Sequence, residues 1–227
     1  MAFPTPAPFD AAIVDLDGTL VDTLGDFHAA LAEMLRELAL PPLPREQVAL
    51  FIGKGSEHLI REALAHVGAP ASLFQRAWDG YQAAYGRLNG RWSAVYPGAA
   101  EGIAQLCGRG LRLACLTNKP GAFARELLQA KGLDHAFDYV FGGDAFERKK
   151  PDPLPLRKTC EALGTAAART LMVGDSRNDA EAARAAGCPV VLVTYGYNHG
   201  EPARGVPAEG HLDSLAQIGA WLRAREG

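Results

Sequence analysis

The sequence is poor in cysteine, and its four residues of that type, Cys107, Cys115, Cys160 and Cys188, form no C-x-x-C pair. Three of them fall in apolar stretches, where a small buried thiol is common. Neither a disulfide framework nor a zinc site is therefore expected. The six histidines offer no alternative: His58 and His66 share a helical stretch but stand two turns apart, too far to share one ion. A surplus of positive charge is also missing. The formal net charge of −3 gives no electrostatic reason to expect nucleic acid or an anionic membrane as partner. The opening Met1-Ala2-Phe3-Pro4-Thr5-Pro6-Ala7-Pro8 carries no basic side chain, and the first one is Arg36, so the basic start of a secretory signal is absent. No apolar run reaches bilayer-spanning length. Beyond the Pro-rich start there is no low-complexity segment, and no internal repeat occurs. A cytoplasmic protein is expected, and no feature reports on its oligomeric state.

What the chain does contain is an ordinary globular composition, 48% hydrophobic and 22% charged over 227 residues. That length suits one large domain or a core with a smaller insert. Ala11 to Leu16 reads as a buried strand, and four further apolar runs resemble it: 111–117, 139–141, 170–173 and 189–194. Helical patterns lie between them at about 98–109, 120–131, 153–163 and 177–186, stopping near Gly110, Gly132, Gly164 and Gly187. Strand alternating with helix implies an α/β fold, a doubly wound parallel sheet with right-handed crossovers.

Residues 23–92 break this alternation. Phe27, Ala30, Leu31, Met34, Leu35 and Leu38 recur at helical spacing before Pro41-Pro42-Leu43-Pro44 interrupts. Ser56 can cap a second helix, with Leu59, Ile60, Ala63, Leu64 and Val67 on one face and Gly68 closing it. A third helix carries Phe74, Trp78, Tyr81 and Tyr85, a stripe that reads as bundle core more readily than as a ligand platform. The expected organisation is an α/β core of residues 1–22 and 93–227 with an all-helical insert at 23–92.

In an open parallel sheet, ligands bind beyond the carboxyl ends of the strands. Those ends deliver Asp15 and Asp17 from the first strand, Thr117 and Asn118 from the second, and Asp175 from the fourth, with Asp179 four residues on. Lys150 lies just before Pro151-Asp152-Pro153. Asp15 and Asp17 point to the same side of an extended segment, and such carboxylates repel unless a cation or proton intervenes. Oxygen ligands of this kind suit magnesium, which takes one or two carboxylates and retains waters. The bland alternatives are local. Thr19-x-x-Asp22 and Ser176-x-x-Asp179 both fit a capping box; Asp22 reads as a cap, and Asp179 reads equally as a cap or as support for the site. Lys149 competes with Lys150, and Arg177 and Asn178 fit a solvated helix face as well as a ligand contact.

Asp15-Leu16-Asp17-Gly18-Thr19-Leu20-Val21-Asp22 resembles the first motif of the haloacid dehalogenase superfamily. Thr117-Asn118 is similar to the second motif, Lys150-Pro151-Asp152-Pro153 to the third, and Gly174-Asp175-Ser176-Arg177-Asn178-Asp179 to the fourth. All four occur in order on the expected strand ends, and the helical insert matches the cap of this superfamily. The resemblance implies a Mg2+-dependent phosphomonoester hydrolase with a covalent aspartyl-phosphate. Asp15 would be the nucleophile and Asp17 the acid and base. The metal would sit on Asp15, the Asp17 backbone carbonyl and Asp175, with Asp179 behind it. Thr117, Asn118 and Lys150 would hold the phosphoryl group, and the proline after Lys150 favours it over Lys149.

Two further stretches are similar to bacterial phosphoglycolate phosphatases: Thr194-Tyr195-Gly196-Tyr197-Asn198-His199-Gly200-Glu201 and the cap loop Phe51-Ile52-Gly53-Lys54-Gly55. Lys54 is a candidate partner for a substrate carboxylate, and equally an exposed lysine on a glycine loop. A cap over the site implies a small phosphorylated metabolite. Within the superfamily a sugar phosphate, a nucleoside monophosphate or a sugar-phosphate mutase reaction stays open. A phosphonate-cleaving relative is disfavoured because Asp17 is retained.

Overall fold

A computed structural model describes residues 9–225, so the Pro-rich opening lies outside the described residues. In chain order the elements are β1 (Ala11–Val14), β2 (Val21–Asp22), α1 (Leu24–Glu37), α2 (Arg45–Phe51), α3 (Ser56–His66), α4 (Phe74–Leu88) and β3 (Ala94–Val95). There follow α5 (Ala99–Gly108), β4 (Arg112–Leu116), α6 (Gly121–Ala130), β5 (Tyr139–Phe141), α7 (Leu154–Leu163) and β6 (Thr170–Gly174). The chain continues through α8 (Arg177–Ala186), β7 (Val190–Val193), β8 (Gly210–Leu212) and α9 (Ile218–Arg223).

Six strands form one parallel sheet in the order β5-β4-β1-β6-β7-β8. Side chains alternate across it, as a period of two requires. Ala12, Val14, Leu113, Cys115, Leu171 and Val173 face a cluster with Leu106, Leu127 and Leu222 from α5, α6 and α9. Ala11, Ile13, Ala114, Leu116 and Met172 face the other layer, with Leu156 and Cys160 of α7 and Ala183 of α8. Both faces are covered, which explains why these strands read as unbroken apolar runs.

Helices α1 to α4 build a separate apolar cluster around Leu31, Met34, Leu35, Ile60, Tyr81 and Tyr85. The aromatic stripe of α4 is part of this bundle interior: Tyr81 and Tyr85 are fully buried, with Phe74 and Trp78 at its margin. The two passages between bundle and sheet run side by side, since β2 pairs antiparallel with β3 through Val21↔Val95 and Asp22↔Ala94. The buried Asp26 carboxylate fastens this junction by accepting the N–H groups of Gly90 (2.8 Å) and Trp92 (2.6 Å).

Several local expectations change. The edge strand β8 is not among the five expected strands; it is too short to display alternation and begins with a glycine. Helix α2, after the proline run, has no counterpart among the expected elements. Ser56 does not cap α3; Gly55 holds that position and Ser56 is the first helical residue. The Thr19–Asp22 box does not form either. Thr19 turns to Asp175, and Asp22 instead accepts the Leu24 N–H and the Tyr197 hydroxyl at the start of α1. Among the described residues no helix is long and apolar enough to cross a membrane. Cys115, Cys160 and Cys188 are buried free thiols, and Cys107 is exposed.

Candidate active site

Strand order brings the acidic residues together. β1 is flanked by β4 and β6 with Val14 level with Cys115 and Val173, so the chain emerges from all three strands at one height. Asp15 lies one residue past the end of β1, its N–H bonded to the Val173 carbonyl at 2.9 Å. Thr117 and Asp175 lie one residue past β4 and β6. Connections leave the central strand and its neighbours in different directions, which opens a crevice at this edge.

Asp15, Asp175 and Asp179 are buried, and each offers a carboxylate oxygen within 4.8 Å of the others. Lys150 reaches into this group: its Nζ lies 3.0 Å from Asp15 Oδ1 and 2.7 Å from Asp179 Oδ1, and it donates to the Leu116 carbonyl at 2.8 Å. Lys149 is exposed and lines an outer cleft, so Lys150 is the lysine that meets the carboxylates. Asp179 serves both of its expected purposes. One oxygen pairs with Lys150 while the other accepts from the N–H groups of Asp175 and Ser176 and from the Ser176 hydroxyl, forming the capping box of α8.

Burial raises the Asp15 carboxyl to about 7; the Lys150 charge opposes this, and the charges of Asp179 and Asp17 reinforce it. Burial likewise lifts Asp175 well above the ordinary carboxylate range, helped by Asp179 and Asp15, against hydrogen bonds from the Tyr197 N–H and Thr19 hydroxyl. For Lys150 burial favours loss of the proton, and the Asp15 and Asp179 charges more than reverse this, so its affinity for a proton is raised. Four buried carboxylates (Asp15, Asp17, Asp175 and Asp179) face two buried ammonium groups (Lys119 and Lys150), a formal excess of two negative charges. Buried, hard oxygen donors with that excess fit a divalent cation. Backbone crowds Asp175 closely. Gly18, at φ +87°, and Gly196 each leave no room for a Cβ beside its carboxylate.

A narrow cavity opens between this edge and the helical bundle. Asp15, Asp17, Thr117, Asn118 and Lys119 line it from the sheet side; Phe27, Ile52, Gly53, Gly55, Ser56 and Leu59 close it from the bundle. Asn118 fixes the roof, donating from Nδ2 to the Gly53 and Lys150 carbonyls at 2.9 Å each. Its amide oxygen accepts the Lys150 N–H, so the whole side chain is engaged.

Lys54 stands apart from these residues. It is exposed and lines an open outer cleft with Glu57, His58 and Arg148, whereas its neighbours Gly53 and Gly55 line the cavity. Lys119 joins the site although no sequence pattern singles it out. Its Nζ lies 2.8 Å from Asp17 Oδ1, and the residue is only 4% exposed. The available signal is its place directly after Thr117-Asn118, but a loop lysine gives no indication of which way it turns. Asn178, ambiguous in the sequence, is buried and donates to the Gly53 carbonyl at 3.3 Å, while Arg177 is exposed. His199 joins it, with Nε2 3.2 Å from Asn178 and Nδ1 3.1 Å from the Leu50 carbonyl.

Known proteins are similar to this chain over most of its length. The family model described as haloacid dehalogenase-like hydrolase matches residues 12–193. A phosphoglycolate phosphatase of Thiobacillus denitrificans is 40% identical over 93% of this chain and 95% of its own length. The plasmid-encoded phosphoglycolate phosphatase of Cupriavidus necator is 44% identical over 95% of this chain and 94% of its own. The crystal structure of a predicted phosphoglycolate phosphatase from Haemophilus somnus superposes with a TM-score of 0.89 at 33% identity, covering 93% of this chain and 96% of that one. CbbY from Rhodobacter sphaeroides, solved with phosphate, gives a TM-score of 0.79 at 26% identity over 93% of this chain and 96% of that one. The family model covers most of the chain and these relatives cover nearly all of it: the chain belongs to the haloacid dehalogenase-like hydrolases.

Proposed function

We propose that this chain is a phosphoglycolate phosphatase, hydrolysing 2-phosphoglycolate to glycolate and phosphate through an aspartyl-phosphate on Asp15. One observation carries the reading: Asp15, Asp17 and Thr117 line one narrow cavity between the sheet edge and the helical bundle, with Asp175, Asp179 and Lys150 gathered beside Asp15. The relatives named phosphoglycolate phosphatase support the substrate, and the phosphate held by CbbY supports the class of ligand.

In the first step the Asp15 carboxylate oxygen bonds to phosphorus in line as the bond to the alcohol oxygen breaks, and Asp17 hands its proton to that oxygen. In the second step water bonds to phosphorus, the Asp15 oxygen departs, and Asp17 takes the proton of the water. Thr117, whose Oγ1 accepts the Lys119 N–H at 3.2 Å, keeps its hydroxyl hydrogen for a phosphoryl oxygen. Lys150 sets Asp15 in place and adds positive charge beside the transferred group. Mg2+ would be held by Asp15, Asp175 and the Asp17 carbonyl, with Asp179 behind, and supplies when bound the charge that the phosphoryl oxygens require. Residues 23–92 act as the cap that excludes bulk water, and residues 1–22 and 93–227 as the catalytic core. A panel of phosphorylated metabolites tests this reading. 2-Phosphoglycolate is expected to give the highest kcat/KM, above sugar phosphates and nucleoside monophosphates, and a flat ranking would refute the substrate.

A further inference from the structure

We propose that Lys119 is the residue that selects the substrate, by binding the carboxylate that 2-phosphoglycolate carries beside its phosphate ester. The assignment rests on the function proposed above and names the group responsible for its selectivity.

Lys119 lies inside the cavity, with its side chain only 2% exposed. A buried ammonium needs acceptors for three N–H bonds. Lys150, the other buried lysine, has three: Asp15, Asp179 and the Leu116 carbonyl. Lys119 Nζ has a single oxygen partner among the described residues, Asp17 Oδ1 at 2.8 Å. The rest of its surroundings are aromatic. The Phe27 ring centroid of α1 lies 4.3 Å from Nζ, and the Tyr85 ring centroid of α4 lies 4.9 Å away. Ring faces stabilise a cation without using up its donors, and they exclude water from it. The lysine thus keeps hydrogen-bonding capacity for an anion that arrives in the cavity.

Position selects which anion. Asp17 is the group placed against the leaving oxygen, and Lys119 Nζ touches Asp17. In 2-phosphoglycolate a single carbon separates the ester oxygen from the carboxylate, so that carboxylate arrives within reach of the ammonium. A sugar phosphate or nucleotide brings neutral hydroxyl groups to the same place and offers no anion to the remaining Lys119 donors, which is a basis for rejection. Lys54 cannot perform this task from the outer cleft. The two rings come from the helical bundle, so this carboxylate site is complete only when bundle and sheet enclose the cavity.

The test is a cycle with one change in the enzyme and one in the substrate. Wild type and Lys119→Met are each assayed on 2-phosphoglycolate and on 2-phosphoglycolamide, which has the same size but no carboxylate charge. Wild type is expected to favour the acid by about 100-fold in kcat/KM, the range of a charged hydrogen bond, and the variant by only about 3-fold. Lys119→Arg, which retains the charge, is expected to recover part of the preference. A Lys119→Met enzyme that keeps the wild-type ratio would overturn the assignment. So would an equal loss on both substrates, because Lys119 would then act only through Asp17. If circular dichroism shows the Met variant unfolded, Lys119→Gln is put through the same comparison against the same two outcomes. Wild type that fails to hydrolyse 2-phosphoglycolate brings down the proposed function together with this inference, whereas a wild type that prefers the acid leaves the variant ratios to decide the role of Lys119 alone.

Discussion

The two walls of the cavity are built on different principles. On the sheet side each polar group is held by several others: Lys150 has three acceptors, and Asp179 joins Lys150, Ser176 and the Asp175 backbone. On the bundle side the loop Ile52-Gly53-Lys54-Gly55 is held by single hydrogen bonds, from Asn118 and Asn178 to the Gly53 carbonyl, with His199 against Leu50 beside it. A cooperative network fixes a geometry, whereas separate bonds to a glycine-flanked loop permit rearrangement. Under the proposed function, the contrast assigns phosphoryl chemistry to the interlocked edge and admission of the substrate to the singly tethered loop.

The sharpest challenge to this division is Asp15→Asn. It keeps the size of the side chain and removes the proposed nucleophile, so phosphate release is expected to fall by at least ~10⁴-fold, with the circular dichroism spectrum unchanged. Full turnover by that protein would move the chemistry away from the sheet edge. Next in size is Lys150→Met. It leaves Asp15 and Asp179 without their buried counter-charge, and urea unfolding in EDTA is expected to show a loss of about 3–5 kcal/mol. A cost below ~1 kcal/mol would mean that the edge is not an interlocked network.

Metal addition tests the same network through pH. The Asp15 carboxyl titrates at about 7 in the folded metal-free chain against an ordinary value of 3.8, so between those values the folded state binds the extra proton. Stability of the metal-free protein therefore falls as pH rises through that window. Magnesium competes with the proton for the same oxygens. At saturating Mg2+ the rise in Tm is expected to be larger at pH 8 than at pH 5, reaching about 2–3 kcal/mol of stabilisation at 100 times Kd. An equal shift at both pH values would show that Asp15 does not meet the ion. The smallest effect belongs to the bundle side. Asn178→Ala removes one roof contact, and KM is expected to rise about 2–10-fold with kcat little changed. A collapse of kcat instead would erase the distinction between the two walls.

Much of this is legible in the sequence. Asp15, Thr117 and Asp175 sit one residue past strands whose apolar runs are clear, and a parallel sheet must bring adjacent strand ends together. The bundle is equally clear, because Leu31, Met34 and Tyr81 repeat at the helical period. Local patterns mislead where two partners compete for one group. Thr19 fits a cap for Asp22, yet its hydroxyl bonds Asp175, 156 residues away. Lys54 and Lys119 are both loop lysines beside motif residues, and only packing turns one outward and the other toward Asp17.

The sequence by itself determined the alternation of strand and helix and the residues that stand at the strand ends, because each follows from periodicity and stop signals within a few residues. Tertiary structure alone decided that Lys119 pairs with Asp17 between two aromatic rings, that Lys54 stays outside, and that Asp179 serves Lys150 and its own helix together. Those outcomes depend on which distant group reaches a side chain first when water is excluded, and no local pattern carries that information.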